Sequence, residues 1–146
     1  MTQMGQTAEL RERREALVRA HVDAERRHDV DGVVATFHRP RYDVVPLGAL
    51  SDGAQAVHDF LSGVIAGFPD FAPHVSALRH ADDAVIVEGN FTGTQTGPWA
   101  GLPPSGRAVD VRFCAVFDFE EDRMLCERLY FDLATMLRQL GALGAA

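Results

Sequence analysis

The stretch from Val109 to Phe119 constrains the fold most. Val109, Val111, Phe113, Ala115, Phe117 and Phe119 recur at every second position, the period of a strand with one face buried. Ahead of it, Asn90-Phe91-Thr92 is β-prone. Gly93, Gly97, Pro98, Gly101, Pro103, Pro104 and Gly106 punctuate the connection. One strand enters, a Gly/Pro-rich loop reverses it, and a longer strand leaves. Two strands joined by so long a loop must be held by the rest of the domain. Trp99, the only tryptophan, sits in that loop among small residues. It is placed to lie over a cavity mouth or to anchor the loop on the sheet.

The rest of the chain supplies the partners. Residues 1–7 read as a flexible tail. A helix follows from about Thr7, its candidate cap, to His28, with Leu10, Leu17, Ala20, His21, Ala24 and His28 on one stripe. Glu9–Arg13, Glu15–Arg19 and Asp23–Arg27 stand four apart with the acid first, the pattern of a solvated helix face. Asp31 caps a short helix from Gly32 to Phe37, which ends at His38-Arg39-Pro40. Tyr42 to Val45 is a short strand, turned by Pro46-Leu47-Gly48. Ser51-Asp52-Gly53 introduces a third helix, about Ala54 to Phe68, stopped by Gly67 and Pro69. Strands follow at Phe71–Arg79, Ala84–Thr94, Arg107–Glu120 and Arg123–Phe131. Asp132 caps a closing helix, Leu133–Leu140, ended by Gly141. Helices first and then a run of antiparallel strands give an α+β domain, a curved sheet with helices on one face.

At 146 residues the chain is one domain, 1–146, large enough for a core. The net charge of −7 argues against a nucleic-acid surface and does not suggest an anionic ligand. Every one of the 14 basic residues is arginine, which suggests a bacterial source of high GC content. Cys114 and Cys126 read as reduced core thiols. No apolar run approaches the roughly 20 residues that span a bilayer. The N-terminus lacks a signal peptide's hydrophobic centre, so a cytoplasmic location is expected. No two histidines have the spacing that places metal ligands on one helix, and no cysteine pairs with them. No metal and no cofactor is expected. Nucleophile-elbow, P-loop and dinucleotide glycine patterns are likewise not found.

Three local runs carry a resemblance: Gly67-Phe68-Pro69-Asp70-Phe71 after the third helix, Gly101-Leu102-Pro103-Pro104-Ser105-Gly106-Arg107 before the long strand, and Leu137-Arg138-Gln139-Leu140-Gly141 at the end. With the order of elements, they make residues 10–141 similar to the SnoaL-like polyketide cyclase group of the nuclear transport factor 2-like superfamily. The resemblance implies a cone of helices and curved sheet around an apolar cavity. It implies a hydrophobic small-molecule ligand, natural-product chemistry without a cofactor, and a homodimer through the outer sheet face, with no nucleic acid and no membrane as partner. It matches the cyclases' acid–base aspartate to Leu129 and a histidine of theirs to Ala115.

Those two matches are apolar, so the candidate catalytic residues lie elsewhere. Glu127 shares a strand face with Leu129 and Phe131: a glutamate at a strand end is usually solvated, but one that points into the cavity is the best general-base candidate in the chain. Asp132 is the nearest other acid, though its place suits an N-cap. Tyr42 and His38 bracket the exit of the short helix, which lies near the cavity in this fold. Tyr42 offers a hydrogen bond to a ligand carbonyl, or a satisfied core hydroxyl. Trp99, Phe113, Ala115, Phe117, Leu129, Phe60 and Phe37 are the expected ligand-lining residues. His21 and His28 read as core or helix-edge residues. Three activities follow: cyclisation, isomerisation or hydration by acid–base chemistry; ligand binding without catalysis; or epoxide opening of the limonene-epoxide type. The last uses an arginine between two acids, and strand parity puts Arg112 and Arg128 on the outer face.

Overall fold

The computed structural model describes residues 2–143, with side chains from residue 7 onward. In chain order its elements are α1 (Thr2–Arg26), α2 (Val30–Ala35), β1 (Arg41–Val44), β2 (Ala49–Asp52), α3 (Ala54–Gly67), β3 (Ala72–His80), β4 (Ala84–Thr94), β5 (Ala108–Glu120), β6 (Arg123–Phe131) and α4 (Leu133–Gln139). The six strands form one sheet in the order β2-β1-β6-β5-β4-β3. All neighbours are antiparallel except β1 and β6, which run parallel. The α+β reading therefore holds.

Strand β5 is the spine. Its alternation buries Val109, Val111, Ala115, Phe117 and Phe119. In β4, Val85, Val87 and Phe91 fill the same inner face. Val18 and Ala24 of α1, Val33 of α2, and Val57 and Leu61 of α3 close over them as one core. A second cluster under the far end joins Phe68, Phe91, Val109, Val111, Met136 and Leu140. Two irregularities shape the sheet. A Cβ on Gly89 would lie 2.0 Å from the carbonyl oxygen of His74, so only glycine lets β3 approach β4 there, beside a bulge between Val75 and Ala77. In the β5–β6 hairpin Phe119 pairs with Met124 but Asp118 pairs with Cys126, leaving Leu125 as an extra residue.

Several expected boundaries move. Helix α1 begins at Thr2, so Thr7 stands inside it rather than at its cap; Met1 lies outside the described residues. Its buried side is rotated from the expected stripe: Arg14, Val18, His21, Val22 and Ala24 are buried, and Ala20 is exposed. Glu15–Arg19 pairs as expected at 2.8 Å, but Arg13 reaches Asp122 and Arg27 reaches Asp29. The cap of α2 is Asp29, not Asp31, because Asp29 Oδ1 accepts the Gly32 N–H at 2.9 Å. Strand β2 is not among the expected strands, and Ser51 and Asp52, read as the lead into α3, belong to it; Gly48, at φ 59°, reverses the chain so that Ala49–Asp52 pairs with β1.

The three signature runs close the cone. Thr96 and Gly97 donate to the Gly67 carbonyl, each at 3.1 Å. Gln139 docks α4 on β5 through its side-chain amide, accepting from Asp110 N at 2.8 Å and donating to Asp110 O at 3.0 Å. Arg107 lies against Gly141, where a Cβ would come 2.9 Å from its Cζ.

Candidate functional site

Parallel pairing of β1 with β6 puts Tyr42 directly opposite Glu127, and antiparallel pairing of β5 with β6 puts Phe117 on its other side. Residues opposite one another share a sheet face, so Glu127 points inward between two aromatic neighbours. It is 4% exposed. From above, α1 lowers His21 and Glu25, four residues apart on one face. His21 Nε2 lies 2.9 Å from Glu25 Oε1 and 3.4 Å from Glu127 Oε1. Its ring stands edge-on to Phe37 and Phe117, with centroids 5.3 and 5.1 Å away.

The other ring nitrogen fixes the proton count. Thr36 donates its hydroxyl proton to the Val33 carbonyl at 2.6 Å, so toward His21 Nδ1, 2.8 Å away, it accepts. Nδ1 therefore carries a proton. Burial alone would lower the His21 pKa, but Glu127 and Glu25 outweigh it and carry it up to about 10. The ring is an imidazolium near neutral pH. Burial and the neighbouring Glu25 raise Glu127, against the lowering pull of His21 and of a hydrogen bond from Tyr42. Burial, then Glu127 and Glu25, push the Tyr42 hydroxyl well above its ordinary pKa and keep it a donor.

This polar group borders apolar space. A cavity of about 60 Å³ is walled by Tyr42, Phe60, Leu61, Phe68, Leu129 and Phe131 among others, with Glu25 at its edge. A smaller one of about 30 Å³ shares Glu25, Tyr42, Phe91 and Leu129 and reaches Glu127, Ala115 and Phe117. Drug-sized ligand sites hold about 300–1,000 Å³. A polyketide-sized ligand needs the phenylalanine walls to move.

The expected site residues thus divide. Glu127, Tyr42, Phe60, Phe113, Ala115, Phe117 and Leu129 border the two cavities. Four do not. Asp132 is exposed; it caps α4, accepting from Ala134 N at 3.2 Å and Thr135 Oγ1 at 2.5 Å, and faces a groove on the outer side of the sheet. His38 is exposed, and only its backbone is engaged, donating to Met124 O at 2.8 Å. Phe37 packs on the His21 ring instead of lining the space. Trp99 anchors the loop against Phe68 and Gly67 rather than covering a mouth, with its ring centroid 5.7 Å from that of Phe68. No arginine lines either cavity; Arg112 is exposed, and Arg128 holds Asp118 at 2.9 Å.

Sequence reasoning missed Glu25 and gave His21 only a core or edge role. The available signal was their spacing of four beside the apolar stripe. It was hidden because α1 carries acid–base pairs at the same spacing along its solvated side.

The sequence model of the SnoaL-like polyketide cyclase family matches residues 15–140. The chain belongs to this SnoaL-like family. No curated protein sequence matches it significantly. Among solved structures, TsrD from Streptomyces laurentii is 26% identical at a TM-score of 0.79, covering 91% of this chain and 98% of its own. A candidate polyketide cyclase from Xanthomonas campestris pv. campestris is 21% identical at 0.81, covering 90% and 98%. A protein with a ketosteroid isomerase-like fold from Catenulispora acidiphila, in complex with trimethylamine, is 16% identical at 0.76, covering 87% and 93%. The SnoaL-like, nuclear transport factor 2-like architecture is therefore shared across these chains. No helix among the described residues is long and apolar enough to cross a membrane.

Proposed function

We propose that this SnoaL-like protein is a small-molecule enzyme that performs cofactor-free acid–base chemistry on a hydrophobic carbonyl compound. Glu127 is its base. The observation that carries this reading is a carboxylate 4% exposed, opposite a buried tyrosine, at the edge of an apolar cavity. Burial moves its pKa toward neutrality, where a general base is most effective. It takes a proton from the carbon beside a carbonyl. With substrate bound, Tyr42 turns its one hydroxyl proton from Glu127 to the carbonyl oxygen as negative charge gathers there. His21, an imidazolium, offsets one of the two negative charges of Glu127 and Glu25. Aldol cyclisation and isomerisation begin with this step, and hydration of a conjugated carbonyl compound runs through the same enolate in reverse, as water adds and the enolate takes the proton back.

The test is solvent-deuterium exchange into a panel of aromatic ketones and β-dicarbonyls, followed by NMR. Wild-type protein is expected to accelerate exchange for at least one compound, and Glu127→Gln to lose about 10²–10⁴ of that rate. Equal rates in wild type and Glu127→Gln overturn the reading. A second reading, ligand binding without catalysis, draws support from Leu129 and Ala115: the positions matched to the cyclases' aspartate and histidine are apolar parts of the wall. On that reading the panel compounds bind and do not exchange.

The assembly follows the outer sheet face. Its groove carries Glu88, Asp110 and Arg112 with the half-exposed Tyr130. Acids and arginine side by side suit a two-fold pairing that sets the arginine of one copy against acids of the other, and we infer a homodimer through this face.

A further inference from the structure

We propose that His21, Glu25 and Glu127 form a binding site for a divalent transition-metal cation of the zinc or cobalt type. A ligand atom from each lies within 4.8 Å of the other two. Donors held about 2.0–2.2 Å from one cation, at tetrahedral or octahedral angles, lie about 2.9–3.5 Å from each other. The 2.9 and 3.4 Å separations of Nε2 from the two carboxylates both fall in that span. The sequence pattern is His-x3-Glu on one helix face with a third donor from the sheet, a set that a search for paired histidines passes over.

The direction of the His21 ring points the same way. His21 is 1% exposed, and its Nε2 makes no well-aligned hydrogen bond although two carboxylate oxygens lie within ion-pair distance. Neither oxygen stands in line with the Nε2 bond. A proton on Nε2 therefore serves neither carboxylate well, whereas a cation takes several donors at once, each at its own angle. Nδ1 is meanwhile committed to Thr36 Oγ1. An acceptor on Nδ1–H of this kind orients a metal-bound imidazole and leaves the opposite nitrogen as the ligand.

Charge and chemistry agree on the class of ion. Cation binding releases the Nε2 proton of the imidazolium; the neutral imidazole and two carboxylates then carry −2, which a dication cancels in surroundings where net charge is costly. One imidazole with carboxylates suits zinc-type ions, while calcium and magnesium favour all-oxygen sets. Glu25 and Glu127 border the same pocket, which leaves room for a fourth ligand. A carboxylate holding the cation no longer accepts a proton, so cation binding and base catalysis by Glu127 exclude each other. Each reading fails or stands on its own experiment.

Chelator-treated full-length protein is titrated with Co²⁺ in the visible range and with Zn²⁺ by calorimetry. The expected result is one cation per chain, with the strong visible bands of low-coordinate cobalt and a higher Tm with zinc. Affinity falls by at least about 100-fold in Glu25→Gln and Glu127→Gln, and about 10–100-fold in Thr36→Val, which keeps all three ligands. His58→Ala, at a part-exposed histidine near Asp31 and Asp59, leaves it unchanged. Absence of the cobalt bands overturns the proposal. So does a wild-type Tm unmoved by excess zinc, or binding unchanged in Glu25→Gln. Because Glu25 sits on a helix side partly open to the pockets, that variant serves if Glu127→Gln does not fold.

Discussion

At the scale of residues, His21, Glu25 and Glu127 bury charge where apolar side chains would pack at lower cost. Removing one partner of a buried ion group leaves charge without compensation, which costs about 3–5 kcal/mol, whereas replacing the whole group by apolar residues is often neutral or stabilising by about 1–4 kcal/mol. His21→Leu is therefore expected to lower the stability of metal-free protein by about 3–5 kcal/mol. His21→Leu/Glu25→Leu/Glu127→Leu should recover most of it. Urea denaturation of both variants checks this, and a triple variant no more stable than the single one contradicts it. Legibility at this scale was uneven. Glu127 was visible through the face it shares with Leu129 and Phe131, and Tyr42 through its place after the short helix; which way that face looks was settled only by the pairing and the bulge at Leu125. Glu25 was not visible, because a helix face is assigned by its apolar members. Here Arg14, His21 and Glu25 interrupt them: Arg14 is buried to hold the Glu121 and Asp82 carbonyls at 2.6 and 2.8 Å.

At the scale of elements, capping and docking account for most of what the local sequence specified. The long strand, its hairpin partner, α3 and the capped α4 were legible from period and punctuation. The short edge strand β2 was not: four residues give no period, and only its pairing with β1 makes it a strand. The start of α2 moved for a similar reason, since Asp29 and Asp31 are equal as caps until the backbone chooses. Helix α4 offers a direct check. Asp132→Ala removes a cap and should cost about 1 kcal/mol without touching the cavity. Measured by thermal unfolding beside the deuterium-exchange assay, it should lower Tm and leave exchange unchanged. Loss of exchange in this variant would return Asp132 to the catalytic set.

At the scale of the whole molecule, the outer face and the cavity answer to different residues. If the sheet faces pair, light scattering after gel filtration should give twice the chain mass. Arg112→Glu should then shift the mass toward the monomer, because the new acid meets acids across the two-fold axis. A wild-type monomer at high micromolar concentration contradicts the pairing. The fold was legible here because three short runs bind its closing contacts: Gly67 receives the loop, Arg107 meets Gly141, and Gln139 clasps Asp110. They say how the container is shut and nothing about what it holds, which is why the family was readable and the chemistry was not.

The extra residue at Leu125 has one more consequence. A strand is read in steps of two, like a text with a fixed frame. Counting from the buried Met124 would turn Glu127 to the outside and bring Arg128 in. The bulge spends the odd residue before the line that matters, so the tip of the hairpin and the floor of the cavity keep separate frames. Length changes near Leu125 are absorbed at the tip. A single insertion between Glu127 and Leu129 finds no such slack, and it would put one of the two on the wrong side of the wall.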